Sequence, residues 1–516
     1  MASPNAAATA AFSLGGLDGT TGVRLDGATD DQSGISVSTA GDVNGDGVDD
    51  LIVGADMANG QAGDRTGAAY VVYGKRPPYS ATFALHTLDG TNGFRLEGGA
   101  SGDQIGRSVA AAGDFNADGI DDLVVGTTRG TSASGRIFVV FGRSTAFPAT
   151  ISVASLDGSN GVVLDCGPVL SGSAVAVVDG AGDVNGDGVD DIVIGASGAS
   201  SAAPGSGLAI VVFGRRSPFP PTLSMAALDG TDGFRLSGVQ AEMIGTSASG
   251  AGDINADGFD DIAIGAAQRY VSGVGPSTGS AYVVFGKSTP YAATTLTSSL
   301  DGHSGFRIDG ESAFSVLGKK VSGAGDINGD GFDDLVIGAP GFNDGAQQAA
   351  GAAYVITGRS AEFSAQMNVS GLDGANGLQL RSTASNGFLA SSVSSAGDVN
   401  DDGFDDLLIG SHLANPNGQP HAGSSYVVFG KGTAFDADMD LEQLGTPGGL
   451  RLDGTAANEV SGSSIGAAGD VNADGIGDLI VGAPGAGPGG TFAPRGSSYV
   501  VFGQSDRLMR DGFERR

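Results

Sequence analysis

The sequence predicts an all-β protein built from seven repeats of one unit. Three observations carry this. The stretch Asp42-Val43-Asn44-Gly45-Asp46-Gly47-Val48-Asp49-Asp50 recurs at Asp114, Asp183, Asp253, Asp326, Asp398 and Asp470, at steps of 69 to 73 residues, and a near-fixed period of this size marks one supersecondary unit repeated. Short β-rich runs bounded by Gly flank every copy, and no segment sustains a helical period. The chain holds 92 Gly yet is 40% hydrophobic over 516 residues, a composition of repetitive β structure with a core rather than of disorder.

Residues 1–10 are small and polar and are expected to be a disordered tail. Each repeat then opens on an alternating run, such as Phe12-Ser13-Leu14 or Phe83-Ala84-Leu85, which reads as a half-buried strand and ends at Leu-Asp-Gly. A Gly-Phe-Arg-Leu segment follows. Its Arg recurs at Arg24, Arg95, Arg235, Arg307 and Arg451, and so regular a charge is expected to pair with a carboxylate within the repeat. Next comes a small-residue strand such as Ser108 to Gly113, suited to the crowded axis of a radial array. The Asp-rich loop follows, then a continuous apolar strand such as Leu335-Val336-Ile337, then a Gly/Ser/Ala-rich loop, then Tyr-Val-Val-Phe-Gly. That count gives four strands per repeat, with the alternating run as the fourth. Radial four-stranded antiparallel sheets repeated seven times form a seven-bladed β-propeller, which protects strand edges by repetition. The last repeat lacks an alternating run after Gly503, where only the charged tail 504–516 follows, and the first repeat has one to spare. The N-terminal strand, Ala11 to Gly19, is therefore expected to complete the last blade beside Tyr499 to Phe502 and close the ring over residues 11–503.

The Asp-rich loop points to calcium. Its first position is Asp42, Asp114, Asp183, Asp253, Asp326, Asp398 and Asp470. Its third is Asn44, Asn116, Asn185, Asn255, Asn328, Asn400 and Asn472. Its fifth is Asp46, Asp118, Asp187, Asp257, Asp330, Asp402 and Asp474. Its ninth is Asp50, Asp122, Asp191, Asp261, Asp334, Asp406 and Asp478, and its sixth is always Gly. Oxygen side chains on alternate residues of a tight turn can converge on one hard cation. The seventh residue, Val48, Ile120, Val189, Phe259, Phe332, Phe404 or Ile476, is expected to add its main-chain carbonyl. The eighth position is Asp in six copies and Gly477 in the last, so it is left out of the ligand set and expected to face water or cap the turn. An ordinary Asx turn does not require three crowded carboxylates. An EF-hand requires Glu at the twelfth position and helical flanks, whereas Val53, Val125 and their counterparts stand there between strands. About seven Ca²⁺ are expected.

The formal charge is −32. Seven divalent cations would add 14 positive charges and bring it to −18, so the acidity is largely accounted for by the loops. No basic patch stands out for nucleic acid, and no apolar run reaches the roughly 20 residues of a membrane-spanning helix. Cys166, the one cysteine, is expected in the core. Met1 to Thr9 lacks the regions of a signal peptide. Loops of low-affinity oxygen ligands suit the calcium-rich exterior, so an extracellular or cell-surface location is expected, with any export signal outside this sequence.

The loop, together with Gly-Ala-Pro at Gly338 to Pro340 and Gly482 to Pro484, resembles the FG-GAP repeats of the integrin α-subunit head. The named Phe-Gly is weakened to Ile105-Gly106, Ile244-Gly245 or Leu317-Gly318. The resemblance covers residues 12–503 and implies a calcium-binding propeller used in adhesion and ligand recognition, here free-standing and of bacterial kind. Two other readings stand beside it: a propeller hydrolase or lyase, since such repeats accompany a phospholipase that cleaves glycosylphosphatidylinositol anchors, and a lectin. His412 and His421 share one loop but are expected to be solvated. Absence of Trp weighs against the lectin. A monomer is expected. Its protein or glycan ligand is expected on the face opposite the calcium loops, among the variable loops carrying Arg65, Arg129, Arg269, Tyr270, Phe342, Asn343, His412 and Arg495.

Overall fold

The computed structural model describes residues 11–127, 135–170, 177–200, 202–216, 218–288, 290–345, 347–445, 448–487 and 495–505. Residues 1–10, most of the 504–516 tail and Arg129 lie outside them.

Seven sheets form the seven blades of a β-propeller, numbered here by their Asp-rich loops. In blade 1 the strands Ser36–Gly41, Asp50–Ala55, Ala68–Val72 and Gly93–Glu97 run antiparallel from the axis outward. The second strand is buried along its whole length in every blade. It lies inside its sheet with neighbouring blades on both faces, which is why it reads as an unbroken apolar run. The innermost strands touch one another around the full circle, including Ser464–Gly469 against Ser36–Gly41, where the Val37 amide donates to Ser464 Oγ at 3.1 Å. Each innermost strand ends in a register shift, such as that between Thr39 and Gly41, and the extra residue turns the chain into the loop.

Two expectations need correction. Each blade has five strands, not four. The fourth is the Gly-Phe-Arg-Leu segment, whose own alternation buries Phe94 and Leu96. The alternating run is a fifth strand of three residues, and it pairs parallel with the preceding blade: Thr150–Ser152 lies beside Arg95–Glu97. Its shortness follows from the 3-10 turn that cuts it off, as at Leu85–Thr87 after Thr82–Ala84. Ring closure shifts accordingly. Ser497–Val501 of blade 7 takes Gly22–Asp26 as its fourth strand, with Arg24 opposite Tyr499. Ala11–Ser13 instead adds a parallel edge to Arg451–Asp453 of blade 6. The beginning of the chain thus completes two blades.

The recurring Arg finds its carboxylate two residues on, across one face of the fourth strand, in the pairs Arg24–Asp26, Arg95–Glu97, Arg307–Asp309 and Arg451–Asp453. Arg235, followed two residues later by Ser237, donates to the carbonyls of Met225, Ala226 and Leu228. Cys166 is fully buried between blades 2 and 3.

A further anchor was readable and not read: a Lys or Arg four residues before an aromatic. Lys75, Arg143, Arg215, Lys287, Arg359 and Lys431 lie over the rings of Tyr79, Phe147, Phe219, Tyr291, Phe363 and Phe435, 4.1 to 5.1 Å from their centres. These cation–ring contacts pin the connection that delivers the fifth strand.

Candidate metal centres

All seven loops join a first strand to a second, so strand order puts them on one face of the ring. Their internal geometry is nearly the same. The first-position carboxylate folds back onto the loop: Asp42 Oδ1 accepts from the Asp46 amide at 2.9 Å and Oδ2 from the Gly47 amide at 2.7 Å. The fifth-position carboxylate accepts from the seventh amide, as Asp46 does from Val48 at 3.1 Å. The sixth-position Gly sits at positive φ, 86° at Gly47 and 91° at Gly475, with nothing within 4 Å of an added Cβ. Conformation rather than space demands glycine there.

The ninth-position Asp has no exposed surface in any copy. Asp50 Oδ1 accepts from the Gly74 amide at 2.9 Å, which ties the loop to the end of the third strand, and Asp122, Asp191, Asp261, Asp334, Asp406 and Asp478 repeat this bond. Burial pushes these carboxyls up, and the first- and fifth-position carboxylates push further against the pull of the amides. The values reach about 8 at Asp50, Asp122, Asp261, Asp406 and Asp478, about 9 at Asp191 and about 7 at Asp334.

The third-position Asn turns its amide nitrogen toward the ninth carboxylate, at 3.2 Å from Asn472 to Asp478 and 3.3 Å from Asn44 to Asp50. That leaves the amide oxygens of Asn185, Asn400 and Asn472 buried without a hydrogen-bond partner. Asn255 differs, accepting from the Asp257 amide at 2.8 Å. Among the described residues no three Asp, Glu, His or Cys side chains close around one point.

The eighth-position Asp neither faces water nor caps its own turn. It reaches the neighbouring blade and caps that blade's loop. Asp121 Oδ2 accepts from the Asp42 amide at 2.8 Å, Asp190 from Asp114 at 2.8 Å, Asp260 from Asp183 at 2.7 Å, Asp333 from Asp253 at 2.8 Å, Asp405 from Asp326 at 2.9 Å and Asp49 from Asp470 at 2.8 Å. The Gly before each loop makes room: a Cβ on Gly41 would lie 2.3 Å from Asp121 Oδ2, and one on Gly469 would lie 2.4 Å from Asp49 Oδ2. At the blade 6–7 seam Gly477 supplies no carboxylate, and a Cβ on Gly397 would meet nothing within 4 Å. Gly477→Asp is therefore expected to cap the Asp398 amide and raise unfolding stability by about 1 kcal/mol, the worth of one net hydrogen bond. Asp121→Ala should lower it by a similar amount. Urea titration of the two variants checks this, and a destabilised Gly477→Asp refutes the capping role.

On the opposite face several expected recognition residues are turned inward. Arg269 lies against Glu242 at 3.2 Å and Asp309 at 3.1 Å. Phe342 packs edge-on to Tyr354, and Asn343 Oδ1 accepts from the Ala349 amide. His412 Nδ1 meets Ser391 Oγ at 2.7 Å, while His421 is exposed. Tyr270 stands out at 61% exposure, and Arg65 and Arg495 are also exposed. Phe314, 63% exposed, and Val239 join them. Sequence reading passed over both, which lie on the segments that join a fourth strand to the first strand of the next blade. The loops of Tyr270 and Phe314 are tied by the bond from the Phe314 amide to the Pro276 carbonyl, and Arg269 ties its loop to Glu242, three residues from Val239.

Residues 33–72, 105–140, 245–284, 321–356, 390–428 and 461–501 match the FG-GAP repeat, each segment spanning the first three strands of a blade. The chain belongs to the FG-GAP repeat family of integrin α-type β-propellers. It is 30% identical over 198 residues to integrin alpha-5 of Xenopus laevis, covering 37% of this chain and 17% of that protein. It is 26% identical over 310 residues to integrin alpha pat-2 of Caenorhabditis briggsae, covering 56% and 22%. It is also 26% identical over 216 residues to a phosphatidylinositol-glycan-specific phospholipase D of Dictyostelium discoideum, covering 39% and 21%. The matches thus span about a fifth of these relatives. Among the described residues no helix is long and apolar enough to cross a membrane.

Proposed function

We propose that the chain is a calcium-loaded, integrin-α-like recognition module acting outside the cell or at its surface, with calcium as a structural ion on one face and ligand capture on the other. The donor chemistry suits a hard cation: carboxylate, amide and carbonyl oxygens, with no sulfur or imidazole in the loops. The unpartnered oxygens of Asn185, Asn400 and Asn472 are groups a cation would satisfy. The buried ninth carboxylates, pressed by two neighbours of like charge, gain a counter-charge. In this reading the residues at positions one, three, five, seven and nine hold the ion, and the ion holds the loops against the third strands.

Ligand recognition rests on one observation. Among the described residues Tyr270 and Phe314 are the most exposed large apolar side chains, and they project from tied loops of blades 4 and 5 on the face away from the calcium loops. Exposed aromatic pairs on a rigid scaffold are frequent centres of protein and glycan binding. A panel of extracellular-matrix proteins and a glycan array are the direct test. Tyr270→Ala and Phe314→Ala are each expected to weaken any hit at least tenfold, about 1.4 kcal/mol, with the melting temperature unchanged. Binding that survives both substitutions, or that maps to the calcium-loop face, rejects this reading. The chain is proposed to act as a monomer and as a binding module rather than a hydrolase.

A further inference from the structure

Blade 7 contains a pocket at the place that blades 1, 3 and 4 fill with a ring of their own fourth strand. In blade 3 the anchor Tyr291 is held by three groups. Lys287 Nζ lies 5.0 Å from its ring centre, Phe213 packs tilted at 5.3 Å, and Phe234 of the fourth strand stacks at 4.5 Å with the planes 8° apart. Blades 1 and 4 repeat the stack, Phe94 on Phe147 and Phe306 on Phe363, both at 4.3 Å. Blade 7 repeats everything except the stacked ring. Lys75 Nζ lies 5.1 Å from the centre of Tyr79, and Phe502 packs tilted at 5.0 Å. The Tyr79 hydroxyl donates to the Val471 carbonyl at 2.6 Å and accepts from the Lys75 amide at 3.0 Å, as the Tyr291 hydroxyl does with Val184 and Lys287. Where Phe234 stands in blade 3, blade 7 has Val23, each one residue after the Gly that starts the fourth strand.

The missing ring leaves space. Val23, Leu25, Leu51, Val72, Tyr73 and Tyr79 line a cavity of about 290 Å³ between blades 7 and 1. Blade 2 carries the same substitution at Val162, but there Phe115 comes in from the Asp-rich loop and stacks on Phe219 at 5.2 Å. The corresponding loop residue of blade 7 is Val471, too small to do so.

We infer that this cavity binds one small aromatic molecule, its ring stacked on Tyr79 in the place a Phe occupies in blades 1, 3 and 4. The ring preference follows from shape and from the offset stacking that aromatic pairs favour. The ligand is far smaller than the partner proposed for the opposite face and lies on the calcium-loop side, so the two sites are independent.

Isothermal calorimetry of the calcium-loaded full chain with p-cresol and toluene tests this. One molecule of either probe is expected to bind per chain. Val23→Phe restores the stacked ring and should abolish binding of both probes without lowering the melting temperature. Val23→Leu, a gentler filling, should weaken both and serves if Val23→Phe does not fold. Undiminished binding in the filled variants overturns the proposal, as does absence of p-cresol binding at about 10 mM, which exposes even millimolar dissociation constants.

Discussion

Removing calcium is expected to lower the melting temperature of the whole ring steeply. Each loop would lose the ion that neutralises a fully buried ninth carboxylate and two neighbours. A site held at 100 times its dissociation constant contributes ~2.7 kcal/mol, so seven loops in one cooperative unit contribute roughly 19 kcal/mol. Calorimetry with and without a chelator reads the effect, and metal analysis at saturating calcium should return about seven ions per chain. Asp50→Ala should remove one of them. Asp49→Ala should keep all seven while costing about 1 kcal/mol, because Asp49 caps the Asp470 amide of blade 7 rather than serving its own loop. A stoichiometry well below seven would sink the seven-ion reading, and equal losses of calcium affinity in the two variants would show that the ligand assignment is wrong.

Deleting residues 1–26 should open the ring. It removes Leu14, Leu17, Val23 and Leu25, all at most 8% exposed. At about 1.5–3 kcal/mol per buried side chain the loss is roughly 6–12 kcal/mol. It also strips Ser497–Val501 of its outer partner, leaving an unpaired edge that invites self-association. Deleting only residues 1–13 takes a three-residue parallel strand from blade 6 and should leave the ring closed. Size-exclusion chromatography and thermal melting of the two truncations separate these outcomes. A monomeric 1–26 deletion with unchanged melting would refute closure by Gly22–Asp26.

The seven loops were legible because calcium-type ligand chemistry needs particular residues at particular spacings, and those residues are local in the chain. The blades were legible because their strands alternate or are wholly apolar. The fifth strand was misplaced for a physical reason. Phe83 and Phe94 show the same alternation, and nothing local says which of the two runs pairs with its own blade and which with the one before. The eighth Asp escaped for a related reason. Its partner, an amide of the adjacent blade, lies 76 to 80 residues away, or 421 for Asp49, and only the invariant Gly before each loop hinted that a neighbour's side chain needed room. The Tyr270–Phe314 pair depends on two loops from different repeats meeting at the surface, which no single repeat records.

The division of the first 26 residues between two blades has a consequence for how the chain reaches this state. Gly22–Asp26 and Ala11–Ser13 are synthesised before the other strands of the ring, while their partners Ser497–Val501 and Arg451–Asp453 are among the last of its strands. Pairings this distant in sequence form slowly, since the loop entropy is lost before any contact is gained. Blades 1 to 5 find all their partners within consecutive repeats and can assemble as the chain emerges. Val23 and Leu25 must wait, uncovered, until the circle is nearly complete. The first segment of the ring to be made is thus the clasp, and it fastens last.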